Sequence, residues 1–137
     1  MQRLRKGPLV DAAGAAELWL DGGHNPAAGI ALAKVLAELP KRPTHLICGM
    51  LNTKDIAGFL RPLADEAQSL TAVTIPNEQN TLPAEATAKA AQDIGLPAIC
   101  AESVSAAIKA IVRTAPDARI LICGSLYLAG HIARENG

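Results

Sequence analysis

The stretch Leu18-Trp19-Leu20-Asp21-Gly22-Gly23-His24-Asn25-Pro26 joins a short apolar run to a polar, glycine-hinged turn. Asn25 is a favoured N-cap residue, and Pro26 suits the first helical position because its missing N–H would have no partner there. The stretch therefore predicts a strand, a turn and the start of a helix. Asp21, His24 and Asn25 all carry groups that can contact a ligand, and they crowd into this one turn.

The same alternation of strand and helix continues along the chain. Continuous apolar runs are typical of parallel strands covered on both faces, and they occur at Glu17–Leu20, His45–Cys48, Ser69–Ile75, Ala98–Cys100 and Arg119–Cys123. Helical patterns lie between and after them, at Pro26–Leu39, Ile56–Gln68, Pro83–Ile94, Val104–Thr114 and Leu126–Arg134. Ile30, Val35 and Leu36 are expected to form the apolar stripe of the first helix, and Pro62 to kink or split the second.

A polar extended piece near Gln2–Arg5 predicts an additional, antiparallel edge strand. The segment from Gly7 to Gly14 is expected to be a loose excursion, and Pro76–Pro83 a polar surface loop. Strands and helices at this spacing predict parallel βαβ units. We therefore expect a single α/β domain over residues 1–137, Rossmann-like and doubly wound, with a mostly parallel sheet of about six strands.

Composition excludes several classes of protein. A hydrophobic fraction of 50% excludes a disordered chain, and 13 basic against 13 acidic residues leave no basic footprint for nucleic acid. No apolar run approaches the roughly 20 residues that span a membrane. The three cysteines, Cys48, Cys100 and Cys123, form no Cys-x-x-Cys pair and are expected to be reduced core residues of a cytoplasmic protein.

Three polar loops follow strands of the predicted sheet, at Asp21–Pro26, Gly49–Asp55 and Gly124–Gly130. In open parallel sheets, ligands bind beyond the carboxyl ends of the strands. Because all three loops leave such ends, we expect them to share one edge. No P-loop, no G-x-G-x-x-G, no G-x-S-x-G and no cluster with metal-ligand spacing accompanies them.

Each candidate residue in these loops has a structural alternative. Asp21 can accept hydrogen bonds from a ribose or from its own loop amides, and His24 can bind a phosphate or ribose or simply stabilise the turn. Lys54 suits a carboxylate or phosphate near a helix N-terminus, but it can equally be a solvated surface lysine. Ser125 is either an anion contact or an ordinary serine cap, and Asn25 is mainly a helix cap.

All three loops resemble signatures of bacterial folylpolyglutamate synthase/dihydrofolate synthase, of the Mur ligase superfamily. Leu20–Pro26 is similar to Leu-Asp-Gly-Ala-His-Asn-Pro, with Gly23 in place of Ala. Cys48–Leu51 followed by Lys54-Asp55 resembles the Gly-Met-Leu…Asp-Lys-Asp segment, with a departure at Asn52-Thr53. Cys123–Gly130 matches the last strand–helix signature. The resemblance covers the whole chain and implies the C-terminal, glutamate-ligase domain of such an enzyme.

That resemblance implies ATP-dependent addition of L-glutamate to dihydropteroate or folate through an acyl phosphate. It implies that Asp21 and His24 bind ATP, with His24 also catalytic, and that Lys54 and Ser125 hold the carboxylates of glutamate. The ATPase domain with its P-loop and Mg²⁺ ligands would lie upstream and is absent from this chain. The domain would thus be inactive alone, a piece of a cytoplasmic enzyme that binds neither nucleic acid nor membrane.

Two alternatives remain at this point. One is a stand-alone ligand-binding or receiver-like module of similar length. A receiver needs an acidic cluster near its first strand and a lysine after its last, whereas here Ser125 follows the last strand. The other is a C-terminal domain of another Mur-type ligase that takes a different amino acid. The His-Asn-Pro turn argues against this second alternative.

Overall fold

The computed structural model describes residues 1–52 and 55–136, which form alternating strands and helices. The strands are β1 (Gln2–Leu4), β2 (Glu17–Leu20), β3 (Thr44–Cys48), β4 (Ser69–Ala72), β5 (Ala98–Cys100) and β6 (Arg119–Cys123). The helices are α1 (Pro8–Ala13), α2 (Pro26–Glu38), α3 (Ile56–Ala64), α4 (Ala84–Asp93), α5 (Val104–Thr114) and α6 (Leu126–Asn136).

The six strands form one sheet in the order β1-β2-β6-β3-β4-β5. β1 pairs antiparallel with β2, and all the other neighbours are parallel. The prediction of a mostly parallel sheet with one antiparallel edge strand is confirmed. Because the chain returns to place β6 between β2 and β3, the loops that follow these three strands become neighbours.

Helices cover both faces of the sheet, as a doubly wound fold requires. Alternate residues of each strand point to opposite faces, so in β3 the Ile47 side chain packs towards α1, α5 and α6, whereas Leu46 and Cys48 pack towards α2, α3 and α4. All three side chains are fully buried. Within the described ranges, no helix is long and apolar enough to cross a membrane.

The prediction of a loose segment from Gly7 to Gly14 was wrong, because Pro8–Ala13 forms helix α1. Its N-cap residue, Gly7, has no side chain with which to cap the helix. Asn136 of α6 supplies the cap instead, since its Oδ1 accepts from Leu9 N at 2.9 Å and its Nδ2 donates to Lys6 O at 2.8 Å. Short sequence windows cannot reveal a cap donated by a residue at the other end of the chain.

Two predicted elements were too long. α3 ends at Ala64 rather than Gln68, and Pro62 lies inside one helix instead of splitting it. A proline in the last turn removes only one backbone donor, so the short helix tolerates it. β4 ends at Ala72 rather than Ile75, although Val73 N still donates to Cys48 O at 3.0 Å.

Two assignments of buried residues were also wrong. Ile30 and Val35 of α2 are exposed, and Gly29, Leu32 and Leu36 form its buried face. Cys100 is exposed because β5 is an edge strand that lacks cover on one side, whereas Cys48 and Cys123 are buried as expected. An edge strand is short of neighbours, so an apolar run alone does not establish two-sided cover.

Candidate functional site

The loops after β2, β6 and β3 meet at the carboxyl edge of the sheet, as the sequence predicts. Gly124 N donates to Gly23 O at 3.1 Å, which joins the β6 loop to the β2 loop. Gly49 N donates to Cys123 O at 3.3 Å, which joins the β3 loop to the end of β6. Backbone hydrogen bonds therefore hold the three loops as one unit.

A cavity of about 100 Å³ lies between these loops. Its lining residues come from all three of them: His24, Leu51, Gly124, Ser125, Leu126 and Tyr127. A larger concavity of about 640 Å³ lies at the amino edge, where α2 and α3 end. We assign the site to the small cavity because ligands of open α/β sheets bind at the carboxyl ends of the strands, where helix N-termini favour anions.

Gly124 allows the loops to approach so closely. Its φ is 109°, which side chains rarely adopt, and a Cβ there would lie 2.6 Å from Gly49 O. The same Cβ would lie 2.8 Å from Cys48 Sγ and 2.8 Å from Met50 Sδ. Both backbone conformation and space therefore require glycine at this position.

Asp21 lies at the end of β2, beside the cavity but outside its lining. Its Oδ1 accepts from Gly23 N at 2.7 Å, which closes the turn, and its Oδ2 lies 2.9 Å from the amino nitrogen of Met1. The side chain is 23% exposed. The carboxylate therefore shapes the loop while part of it stays accessible, so the turn-forming role is present whatever else Asp21 binds.

His24 is half-buried in the cavity wall, with its Nδ1 3.1 Å from Gly22 O. A carbonyl oxygen can only accept, so Nδ1 carries the hydrogen in this contact. In the neutral ring, Nε2 is then an acceptor. The neighbouring Asn25 caps α2, since its Oδ1 accepts from Ala28 N at 2.8 Å, which confirms the structural interpretation of that residue.

Ser125 precedes α6 and is buried in the same cavity wall as His24. Its Oγ accepts from Tyr127 N at 3.0 Å and from Leu128 N at 3.4 Å, so the capping role is present. A hydroxyl that accepts such bonds still has one hydrogen to donate. The structure thus brings Ser125 and His24 together, as the predicted shared edge requires.

Lys54 lies outside the described residues, so its predicted contact with glutamate stays a prediction. The residue after it, Asp55, caps α3 by accepting from Gly58 N at 2.9 Å. The N-termini of α2, α3 and α6 therefore all lie at the carboxyl edge. Their partial positive charges favour an anionic ligand there.

Two buried thiols lie directly beneath the loops, where Cys48 and Cys123 are partners in register between β3 and β6. The contact with Cys48 and burial raise the pKa of Cys123 well above its ordinary value. A thiol held in its protonated form is a poor nucleophile. Both side chains are buried and pack in the core beneath the loops.

A divalent metal held by protein ligands alone needs several oxygen, nitrogen or sulfur atoms close together. Among residues 1–52 and 55–136, no three His, Cys, Asp or Glu side chains gather closely enough to hold an ion. The described residues therefore provide no metal site made of protein ligands alone.

The sequence did not single out three of the side chains that line the cavity: Leu51, Leu126 and Tyr127. Leu126 and Tyr127 are exposed, at 67% and 59%. Both follow Ser125 in the first turn of α6. Their position directly after a polar cap at the end of a strand was the signal in the sequence that could have marked them as site residues. An apolar pair is usually assigned to the core, and only the fold reveals that this one is not covered.

Comparison with known proteins identifies the family. A model of the Mur ligase, glutamate ligase domain, matches residues 5–126. This chain belongs to that family. The family assignment agrees with the resemblance in the three loops, since all of them begin within the matched region.

Folylpolyglutamate synthases are among the relatives of this family member. The Lacticaseibacillus casei folylpolyglutamate synthase is 33% identical over 113 residues, which cover 82% of this chain and 25% of that protein. The Mycobacterium tuberculosis folylpolyglutamate synthase complexed with ADP superimposes with a TM-score of 0.80 and 27% identity, over 99% of this chain and 31% of that one.

A third relative is the bifunctional folylpolyglutamate synthase/dihydrofolate synthase from Yersinia pestis. It superimposes with a TM-score of 0.73 and 25% identity, over 88% of this chain and 28% of that one. The chain thus spans only about a quarter to a third of the length of these relatives.

Proposed function

We propose that this chain is the glutamate-ligase domain of an ATP-dependent enzyme that adds L-glutamate to dihydropteroate or folate. The observation that carries the proposal is the single cavity lined by His24 and Ser125, formed by the three loops that bear the ligase signatures. The relatives point the same way, since they are folylpolyglutamate synthases and one of them binds ADP. The domain belongs to a carbon–nitrogen ligase and is inactive alone.

The reaction would proceed in two steps. The γ-phosphoryl group of ATP is transferred to a carboxylate oxygen of the pteroate or folate, which gives an acyl phosphate and ADP. The amine of glutamate then attacks the acyl carbon, a proton leaves the nitrogen, and the tetrahedral intermediate expels phosphate as the amide bond forms. Holding two such reactants in position is worth about 7–11 kcal/mol at best.

Asp21 and His24 would contact the nucleotide from this side of the site. The partly exposed Asp21 carboxylate can accept hydrogen bonds from ribose hydroxyls while it retains its bond from Gly23 N. His24 presents Nε2, and protonation of the ring would turn that nitrogen into a charged donor to a phosphate oxygen. The Gly22 O contact fixes the ring for either role.

Ser125 and Lys54 would hold the incoming glutamate. The hydroxyl of Ser125 has a hydrogen to donate to a carboxylate, and the N-terminus of α6 adds its partial positive charge. Lys54 would supply the full positive charge that a second carboxylate needs. The ATPase domain would bring the P-loop, the Mg²⁺ ligands and most of the folate site, in an enzyme of the cytoplasm.

A receiver-like module is the weaker proposal, and the strand order argues against it. The parallel strands of a receiver run in the order 2-1-3-4-5. Counted in the same way, the parallel strands of this sheet run 1-5-2-3-4. A ligase for a different amino acid shares this fold, so the experiment must include several amino acids.

The test is to fuse the chain to the upstream ATPase domain of a folylpolyglutamate synthase and to measure ATP-dependent addition of glutamate. We expect activity with glutamate on dihydropteroate or folate. Replacing Asp21 with Ala should raise the KM for ATP roughly 10- to 100-fold, the effect of losing a hydrogen bond to a charged group. Replacing Ser125 with Ala should raise the KM for glutamate instead.

Matched controls separate these effects from general damage. Ser103 caps α5 through a bond to Ala106 N at 3.0 Å, as Ser125 caps α6, so Ser103→Ala should leave both KM values unchanged. Asp93→Ala, on the exposed face of α4, should do the same. A fusion that prefers another amino acid, or that tolerates loss of Asp21, His24 and Lys54 together, would contradict the proposal.

A further inference from the structure

The polar loop between β4 and α4 (residues 73–83, the β4–α4 loop) packs against the candidate site through its last residues. Leu51 and Thr81 form an antiparallel bridge. On either side of it, Asn52 N donates to Asn80 O at 2.9 Å, and Leu82 N donates to Met50 O at 2.8 Å. The loop thus forms a short two-stranded ladder with the residues that follow β3.

The ladder ends at the wall of the cavity. Leu51 lines the same cavity as His24 and Ser125, and its neighbour Met50 is fully buried. The backbone of Leu51 lies between these two paired groups, so it cannot shift without breaking their hydrogen bonds. The β4–α4 loop therefore sets where the Leu51 wall stands.

Thr81 holds the β4–α4 loop in the shape that permits this pairing. Its Oγ1 accepts from Ile75 N at 2.8 Å, an amide that lies beyond the end of β4. The same hydroxyl donates to Leu82 O at 3.3 Å. One side chain thus closes the loop across six residues, where Asn77 takes the left-handed φ of 60°.

We propose that Thr81 is a positioning residue for the candidate site, acting through Leu51. The hydroxyl keeps the β4–α4 loop closed, the closed loop pairs with Met50–Asn52, and the pairing fixes the position of Leu51 in the cavity that His24 and Ser125 also line. Thr81 touches no substrate in this scheme. The inference rests on the proposed function where it concerns substrate binding.

The test compares Thr81→Val, which keeps the shape of the side chain but removes the hydroxyl, with Thr81→Ser, which keeps the hydroxyl. In the 137-residue chain, we expect Thr81→Val to speed amide hydrogen exchange of Asn52 and Leu82 roughly tenfold and to move the NMR signals of Leu51 and His24. Thr81→Ser should restore slow exchange. Unchanged exchange at Asn52 and Leu82, or equal behaviour of Val and Ser, would overturn the proposal.

Thr87 provides the matched control. It is fully buried on α4, and its Oγ1 makes no hydrogen bond within the described ranges. Thr87→Val should leave exchange at Asn52 and Leu82 unchanged. A general loss of stability in Thr81→Val would instead speed exchange at amides throughout the sheet, and not only at Asn52 and Leu82.

A second measurement uses the fusion with an ATPase domain. In this fusion, Thr81→Val should raise the KM for ATP or for glutamate several-fold while kcat stays near that of the parent. Thr81→Ser should keep the KM near the parent value. If the parent fusion has no ligase activity, the proposed function fails, while the exchange experiment still decides whether Thr81 positions Leu51. The two failures are therefore distinguishable.

Discussion

The amino edge of the sheet, where the parallel strands begin, and the carboxyl edge, where they end, use charged and polar residues in opposite ways. At the amino edge, one carboxylate gathers three guanidinium groups. Glu17 lies 3.1 Å from Arg119, 3.3 Å from Arg42 and 3.9 Å from Arg3, and it accepts a hydrogen bond from Trp19 Nε1 at 2.9 Å. Side chains bind side chains here, and the cluster fastens β1, β2 and β6 together.

At the carboxyl edge, the polar side chains bind backbone amides of their own loops. Asp21 accepts from Gly23 N, Asn25 from Ala28 N, Asp55 from Gly58 N, and Ser125 from Tyr127 N. Each bond orders a loop or a helix start, and Ser125 also lines the cavity. The amino edge thus joins the strands through side chains, whereas the carboxyl edge orders the loops around the candidate site.

The electrostatics of Glu17 support this difference. Burial alone would raise the pKa of Glu17, but the hydrogen bonds from Trp19 and Arg119 and the charges of Arg119 and Arg42 outweigh it and lower the pKa below its ordinary 4.5. A carboxylate that is held in its charged form stabilises the fold at neutral pH. The contribution is lost as the pH falls through the lowered value.

Breaking the amino-edge cluster should have the largest effect on stability. In Glu17→Ala, the guanidinium of Arg119 would remain buried, with its side chain only 3% exposed, and would lose its counter-charge. Removing one partner of a buried ion pair costs about 3–5 kcal/mol. Urea unfolding of the 137-residue chain would measure it.

The exposed pair between Lys89 and Asp93 on α4 is the control for that change. Asp93→Ala should cost no more than about 0.5 kcal/mol, because water already screens the pair. Similar costs for Glu17→Ala and Asp93→Ala would mean that the amino edge is not the stabilising cluster described above.

The carboxyl edge should be most sensitive at Gly124. Gly124→Ala combines a positive φ with a Cβ only 2.6 Å from Gly49 O, so we expect a loss of about 2–4 kcal/mol together with displacement of the cavity wall. Urea unfolding and the NMR signals of His24 would report the two effects. Unlike Glu17→Ala, this change should damage the site as much as the fold.

Gly95 separates strain from steric overlap. It also has a positive φ, of 87°, but no atom outside the residues next to it in the chain lies within 4 Å of its Cβ position. Gly95→Ala should therefore cost only about 1–2 kcal/mol and leave the His24 signals in place. Equal costs at both glycines would show that the close approach of the loops contributes little.

Local patterns in the sequence were sufficient to predict β2, β6, the turn from Asp21 to Pro26 and the α2 cap. These features depend on residues close together in the chain. The shared edge was predictable too, because the carboxyl ends of parallel strands lie at one edge of the sheet, where ligands of open α/β sheets bind. By contrast, the ladder between Thr81 and Leu51 joins two segments that are distant in sequence. The exposure of Leu126 likewise depends on which distant segments pack near it.

Helix α1 shows why a pattern can fail. A helix of six residues has a weak periodic signal, and its N-cap Gly7 offers no capping side chain. The helix forms because Asn136, 127 residues away from Leu9, takes over the capping role. Only the packing of α6 against α1 could reveal this cap. The exposure of β5 likewise follows from its position at the edge of the sheet, which only the fold reveals.

That long-range cap gives a smaller, testable effect. Asn136→Ala removes the acceptor for Leu9 N and the donor to Lys6 O, and the loss of a cap costs about 1 kcal/mol. Asn25→Ala, which removes the local cap of α2, should cost a similar amount. Hydrogen exchange would separate them, since the first should loosen α1 and the second the turn beside His24.

The smallest effect is expected at His45. It lies near the amino end of β3, the strand that is followed by one of the three site loops. Its Nδ1 lies 2.6 Å from Ser69 Oγ, and burial lowers the pKa of His45 below its ordinary 6.5. The unfolded chain therefore binds a proton more readily than the folded one. Stability from this group is fully present above about pH 6.5 and declines as the pH falls towards the lowered value.

Urea midpoints between about pH 7.5 and about pH 5.5 would measure this decline, and His45→Gln, which cannot titrate, should flatten it. Glu17 stays charged over that range because its pKa is lowered, so it should not contribute to the slope. An unchanged slope in His45→Gln would assign the pH dependence to another group. A flattened slope would assign the decline to His45, whose pKa burial lowers.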